Sequence, residues 1–184
     1  VLAVEQVAKS APDGYTVVAA TNSIVANPAG ILRSVNYDPL RDFTPITRLA
    51  GTSYVLVVAA DQPWKTLEDL VAHARANPGK LNYGSAGQGS TTHLAALMFL
   101  NATGTDMLHI PYKSNAESTK AVLTDEVQVL FGSMPAVLGQ IKGNAIRALA
   151  VGTTTRSPEL PNVATLQEAG VPGYETTIWL GVMA

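Results

Sequence analysis

The chain has 184 residues, 47% of them hydrophobic and 14% charged, with a formal net charge of -2. That supports a sizeable core and excludes the disordered regime of low hydrophobicity and high net charge. Twelve scattered Lys and Arg residues with a pI near 5.9 give no basic footprint for nucleic acid, and the lack of cysteine excludes a disulfide framework and thiolate metal sites.

Val1, Val4, Val7 and Ala8 share a helical face from the first residue, so the start reads as the interior of a helix. Pro12-Asp13-Gly14 is a turn, followed by a buried strand over Tyr15–Ala20 and a polar stretch, Thr21-Asn22-Ser23. A loop-rich segment from Asn27 to Pro45 leads to an apolar strand over Ser53–Ala60. No apolar run reaches the roughly eighteen residues a membrane span needs. Thr66 caps a helix with Asp69 three residues on and Leu67, Leu70, Val71 and Ala74 on one face, stopped by Asn77-Pro78-Gly79.

Leu81–Gly84 reads as a short strand, and Ser90 or Thr91 opens a helix carrying Leu94, Leu97 and Met98. Met107–Tyr112 is a strand, and Ser114-Asn-Ala-Glu117 has the form of a capping box. Val127–Phe131 is a strand, Ser133-Met-Pro135 opens a helix, and Ile146–Val151 is a further strand. Thr165-Leu-Gln-Glu168 is another capping box, closed by Gly170, and Ile178–Ala184 is strand-like. Both ends read as cuts. The alternation predicts an α/β fold with largely parallel sheets covered on both faces.

The stretch Leu81-Asn-Tyr-Gly-Ser-Ala-Gly-Gln-Gly-Ser-Thr-Thr-His93 carries the most chemistry. Glycines admit a ligand close to the backbone, and the first amides of a helix lack intrahelical acceptors and sit at its positive end. Ser85, Ala86, Gly87, Gly89, Ser90 and Thr91 are therefore candidates for holding an anion. The other reading is a strand–helix turn with glycines needed for geometry. The loop is neither a phosphate-binding Gly-Lys-Ser/Thr loop nor a dinucleotide fingerprint, and nothing implies a cofactor.

Two more strand ends carry small polar residues, Thr21-Asn22-Ser23 and Gly132-Ser133, and ligands in open α/β sheets sit beyond such ends. The three histidines lack metal-ligand spacing. His93 lines the site or caps the first helical turn, His109 reads as a core histidine, and His73 as solvated. A Ser90–His93 dyad would lack an orienting acid. Lys113 is a ligand-side cation or a surface residue, and Trp179 is a core residue or an aromatic wall.

Ala11-Pro-Asp-Gly-Tyr15, Leu81–Ser90, His109-Ile-Pro-Tyr-Lys113, Ile146–Val151, Arg156-Ser-Pro-Glu-Leu-Pro161 and Glu168-Ala-Gly-Val-Pro-Gly173 occur in order. Together they resemble the extracytoplasmic solute receptors of tripartite tricarboxylate transporters, the Bug-type binding proteins. The resemblance implies a periplasmic-binding-protein-like fold of type II, a two-lobed Venus flytrap. Residues 1–59 with 177–184 would form part of the first lobe, and 60–176 the second. It implies a bacterial periplasmic receptor, not an enzyme, that passes a di-, tri- or aromatic carboxylate to the membrane components of a tripartite transporter. The carboxylate would be held by main-chain amides and hydroxyls, at Ser85–Thr91 and at Thr21, Asn22 and Ser23 on the facing lobe.

Two positions depart from the family pattern. Gly132 stands where many members place Asp, which implies room for a bulkier or less polar ligand group, and Ser114 replaces a glycine. The family's first strand and ligand loop would precede Val1, and the closing helices of the first lobe would follow Ala184. The alternatives are a sensor on the same fold, or a hydrolase-like enzyme using Ser90 and His93.

Overall fold

The computed structural model describes residues 2–26 and 35–184. Val1 and the first part of the expected 27–45 loop lie outside the described residues. By internal contacts the chain divides into two units, Val1–Thr52 with Ile178–Ala184, and Ser53–Thr177.

In the first unit, α1 (Leu2–Ala8) lays Val4, Val7 and Ala8 against a core of Val18, Ala20, Ile24, Tyr37 and Phe43. Strand β1 (Val18–Thr21) pairs antiparallel with β7 (Thr177–Met183), Val18 opposite Met183 and Thr21 opposite Leu180. The strand is shorter than the expected Tyr15–Ala20. Asp13 Oδ1 accepts the Tyr15 amide at 3.0 Å, which prolongs the turn and leaves Tyr15 92% exposed. Helix α2 (Ser23–Ala26) follows β1 directly, and Tyr37 donates its hydroxyl to Ile24 O at 3.1 Å. The end of β7 is tied by paired bonds between Thr44 and Ala184, at 2.8 and 3.0 Å.

Strand β2 (Pro45–Ala59) carries the chain into the second unit, where Val55, Leu56, Val57 and Val58 are fully buried. The second unit's other strands are β3 (Asn82–Ser85), β4 (Leu108–Pro111), β5 (Val129–Ser133) and β6 (Ile146–Val151). Their sheet order is β4-β3-β5-β2-β6. β3 is parallel to both β4 and β5, as the alternating pattern predicts. β2 runs antiparallel to β5 and β6, so the sheet is mixed. A continuous apolar run marks a strand buried on both faces but carries no sign of its direction.

Helix α3 (Leu67–Ala76) has the full capping box: Thr66 Oγ1 accepts the Asp69 amide at 3.1 Å, and Asp69 Oδ2 accepts the Thr66 amide at 2.9 Å. Helix α4 (Thr91–Thr103) is capped by Ser90 and ends at Gly104 in the left-handed region. Its buried face is Thr92, Ala95, Ala96, Phe99 and Thr103; of the apolar residues named from the sequence, Leu97 and Met98 are 41% and 45% exposed. Ala95 and Ala96 let the helix sit close to the sheet, where Phe99 meets Phe131 with ring centroids 5.5 Å apart.

Helix α5 (Asn115–Leu123) is capped by Ser114, with Glu117 Oε2 accepting from Lys113 N, one residue earlier than the reciprocal bond of a capping box. Helix α6 (Met134–Lys142) carries Pro135 in its first turn. At Thr165–Glu168 both capping-box bonds form, at 3.0 and 2.8 Å, yet they close a turn and not a helix. Gly170, at φ +97°, ends it at once.

Candidate functional site

β3 and β5 are parallel, so their C-terminal ends lie on the same edge of the second unit's sheet. β3 leads through the glycine loop into α4, and β5 leads into α6. Gly87 and Gly89, at φ +113° and +76°, take backbone conformations that other residues adopt only under strain. Gly84 sits in a tight place, since a Cβ there would lie 3.2 Å from Val127 Cγ2.

The loop is held by its own polar groups. Ser85 is fully buried; its Oγ accepts the Gly87 amide at 3.1 Å and lies 2.7 Å from His109 Nε2. Thr92 Oγ1 accepts the Ala86 amide at 2.9 Å and bonds Ser90 Oγ at 2.9 Å. Ser90 N donates to Gly87 O at 3.1 Å, Ser90 Oγ accepts the His93 amide at 3.3 Å, and Gly89 N donates to His93 Nδ1 at 3.2 Å. These bonds use the amides of Ala86, Gly87, Gly89, Ser90 and His93. Among the described residues, the amides of Gln88, Thr91 and Thr92 are left without an internal acceptor. Thr91 and Thr92 are the first two residues of α4, where the helix dipole adds positive potential.

Tyr54 links this helix start to the end of β5. It sits opposite Ser133 in the β2–β5 register, and its hydroxyl donates to Thr91 Oγ1. Burial pushes its phenol up to about 12, so it stays a neutral donor and leaves the Thr91 proton for another acceptor. Ser133 is the residue before α6 and makes no side-chain capping bond. Gly132 is buried, and the space its side chain would take is filled by Val137.

The residues singled out in the first unit form their own local set. Thr21 Oγ1 lies 3.0 Å from Ser23 Oγ, and Asn22 Oδ1 accepts the Trp179 amide at 2.9 Å. Trp179 itself packs against the first unit's core. His73 is exposed and lies against Trp64, with ring centroids 5.1 Å apart.

Sequence reasoning passed over Gln88, Thr92 and Tyr54. The first two were legible as loop and first-turn positions, whereas Tyr54 lies far away in sequence and nothing local betrays its hydroxyl. His109 is half-buried and tied to Ser85, a link visible only once β3 and β4 are aligned.

A strand–glycine loop–helix start with uncommitted amides, on an α/β unit, is an arrangement with the donors a small anion would need. The solved structures of a periplasmic transporter and of the periplasmic binding protein BugD share the fold over 98% of the chain. R. palustris Rpa4515, solved with adipate, matches at a TM-score of 0.93 and 37% identity, covering 100% of this chain and 61% of that one. MatC (Rpa3494) from Rhodopseudomonas palustris, with bound malate, matches at a TM-score of 0.91 and 26% identity, covering 100% and 62%. A Cupriavidus necator relative, the UPF0065 protein in the gbd 5' region, is 37% identical over 96% of this chain and 53% of its own length. The family described as "Tripartite tricarboxylate transporter family receptor" matches residues 1–184, and the chain belongs to that family. It spans about half the length of the curated relatives it matches.

Proposed function

We propose that the protein is a periplasmic receptor that captures a small organic carboxylate and delivers it to the membrane components of a tripartite transporter. The carrying observation is the set of uncommitted amides at Gln88, Thr91 and Thr92, beside a Thr91 hydroxyl whose oxygen already accepts from Tyr54. Donors fixed before binding lower the ordering cost that a ligand carboxylate must overcome. Gly132 and Ser133 stand at the neighbouring strand end, and Thr21, Asn22, Ser23 and Trp179 form a second set in the first unit. The unit Ser53–Thr177 is the more complete lobe in this reading. Adipate and malate in two structural neighbours support the ligand class.

The same geometry speaks against a Ser90–His93 nucleophile. Ser90 Oγ accepts from the His93 amide and bonds Thr92 Oγ1, and His93 Nδ1 accepts from Gly89, so the Ser90 hydroxyl and the His93 ring make no hydrogen bond to each other. The serine that does contact an imidazole, Ser85, is fully buried.

A thermal-shift screen of the full-length protein against mono-, di- and tricarboxylates tests the reading. A ligand at one hundred times its Kd adds about 2.7 kcal/mol to stability, so at least one acid is expected to raise the midpoint. A broad acid panel with no shift removes the ligand class.

A further inference from the structure

Three near-parallel rings brace the glycine loop. Tyr83 and His109 are direct register partners on β3 and β4, with ring centroids 4.9 Å apart and planes at 20°. His93, in the first turn of α4, lies 4.0 Å from His109 at 13°. Each imidazole commits one nitrogen to the loop. His109 Nε2 meets Ser85 Oγ at 2.7 Å; that oxygen accepts the Gly87 amide and donates to Gly87 O at 3.1 Å, so the His109 Nε2–H is the donor to it. His93 Nδ1 accepts the Gly89 amide at 3.2 Å, which it does only while unprotonated.

We propose that His93 and His109 are paired positioning residues that hold the loop Gly84–Ser90 in its donor-presenting shape, and that protonation, which breaks the His93–Gly89 bond and puts charge into the buried ring stack, releases the loop and its ligand. The ligand half rests on the carboxylate-receptor reading; the brace is a property of the free protein.

The surroundings favour neutral rings. Burial lowers the pKa of both, and His93 beside it lowers His109 further, to about 4. Among the described residues, the titratable groups stacked with the rings are the two imidazoles and the Tyr83 phenol; residues 85–90 contribute none, and no carboxylate offsets the cost of charging either ring. In a released loop each histidine returns toward its ordinary value of 6.5. The held loop binds protons less readily than the released one. The brace is therefore undiminished above about pH 6.5 and weakens as pH falls from there toward about 4.

The test uses the full-length protein at pH 7.5 and pH 5.0, with two readouts: hydrogen-exchange protection factors of the Gly87 and Gly89 amides, and calorimetric titration with adipate. Wild type should lose protection and adipate affinity by on the order of tenfold between the two pH values. His93→Asn, whose Oδ1 accepts from Gly89 without titrating, should keep Gly89 protected at pH 5.0. His93→Leu should lose that protection at both, with melting temperatures recorded to show that each variant folds. Wild-type protection that does not change with pH, or a protected Gly89 in a folded His93→Leu protein, overturns the brace. A loop that follows pH while adipate affinity stays flat overturns the coupling to ligand. Adipate that binds at neither pH removes the ligand half and counts against the carboxylate reading, while the exchange data still decide the brace.

Discussion

A Cβ placed on Gly132 would fall 2.3 Å from Val137 Cγ1, so the fully buried Val137 holds the space that any other residue at 132 needs. Gly132→Ala should therefore destabilise by about 1–3 kcal/mol through overpacking. Val137→Ala opens a cavity and costs a comparable amount, and the double variant should be less damaged than the sum of the two. Urea unfolding of all three measures the coupling; strictly additive losses would show that the two side chains do not compete.

Tyr54 and Thr91 offer a second pair. Tyr54→Phe removes the hydroxyl that meets Thr91 Oγ1 and should cost about 0.5–1.5 kcal/mol in denaturant unfolding. It also frees Thr91 from a fixed donor role, so carboxylate affinity should fall with it. A variant of unchanged stability and affinity would remove Tyr54 from the site.

The two loop glycines can be separated from a remote control. Gly87→Ala and Gly89→Ala force an L-residue into the left-handed region at φ +113° and +76°, and each should cost at least about 1–2 kcal/mol. Gly104→Ala faces the same conformational penalty at φ +61°, with open space around its Cβ, at the far end of α4. All three should lower the melting temperature, but only the first two should weaken carboxylate binding in isothermal titration. Equal losses of affinity at Gly104 would mean that global stability, not loop shape, sets binding.

The cap of α3 gives a pH prediction. The hydroxyl and amide of Thr66, with the amide of Lys65, hold the Asp69 carboxyl below its ordinary range. A depressed carboxylate contributes stability above its unfolded pKa and loses it as pH falls through the folded one. Thr66→Ala should cost about 1 kcal/mol at neutral pH. Asp69→Asn should flatten part of the fall in melting temperature below about pH 4. An identical acid limb in both proteins would place the acid sensitivity elsewhere.

Local chemistry made most of the fold legible. Thr66, Ser90 and Ser114 announce their helices because a side-chain oxygen must meet a backbone amide within one turn. The buried face of α4 did not follow, since Leu97 and Met98 are more apolar than Ala95 and Ala96, and only the sheet's proximity favours the smaller pair. Thr165–Gly170 carried a complete capping box whose helix never forms, because Gly170 turns the chain away within one turn. In the site, the glycine loop stood out, but the division of its amides into committed and uncommitted did not. That division depends on His93, His109 and Thr92 side chains folding back onto the loop, and no spacing rule encodes it.

The central position of β2 has a consequence for how this molecule comes into being. The strand is synthesised before β5 and β6, yet it lies between them and pairs with no strand closer in sequence within its unit. Until those partners emerge, Val55–Val58 form an apolar ribbon with two unpaired edges, the kind of segment that associates with other chains. Contacts so distant along the chain also slow closure of the sheet. Any delay before those partners arrive leaves that ribbon to be shielded by other means. The rate at which β5 and β6 arrive then sets how much of the protein survives to bind anything.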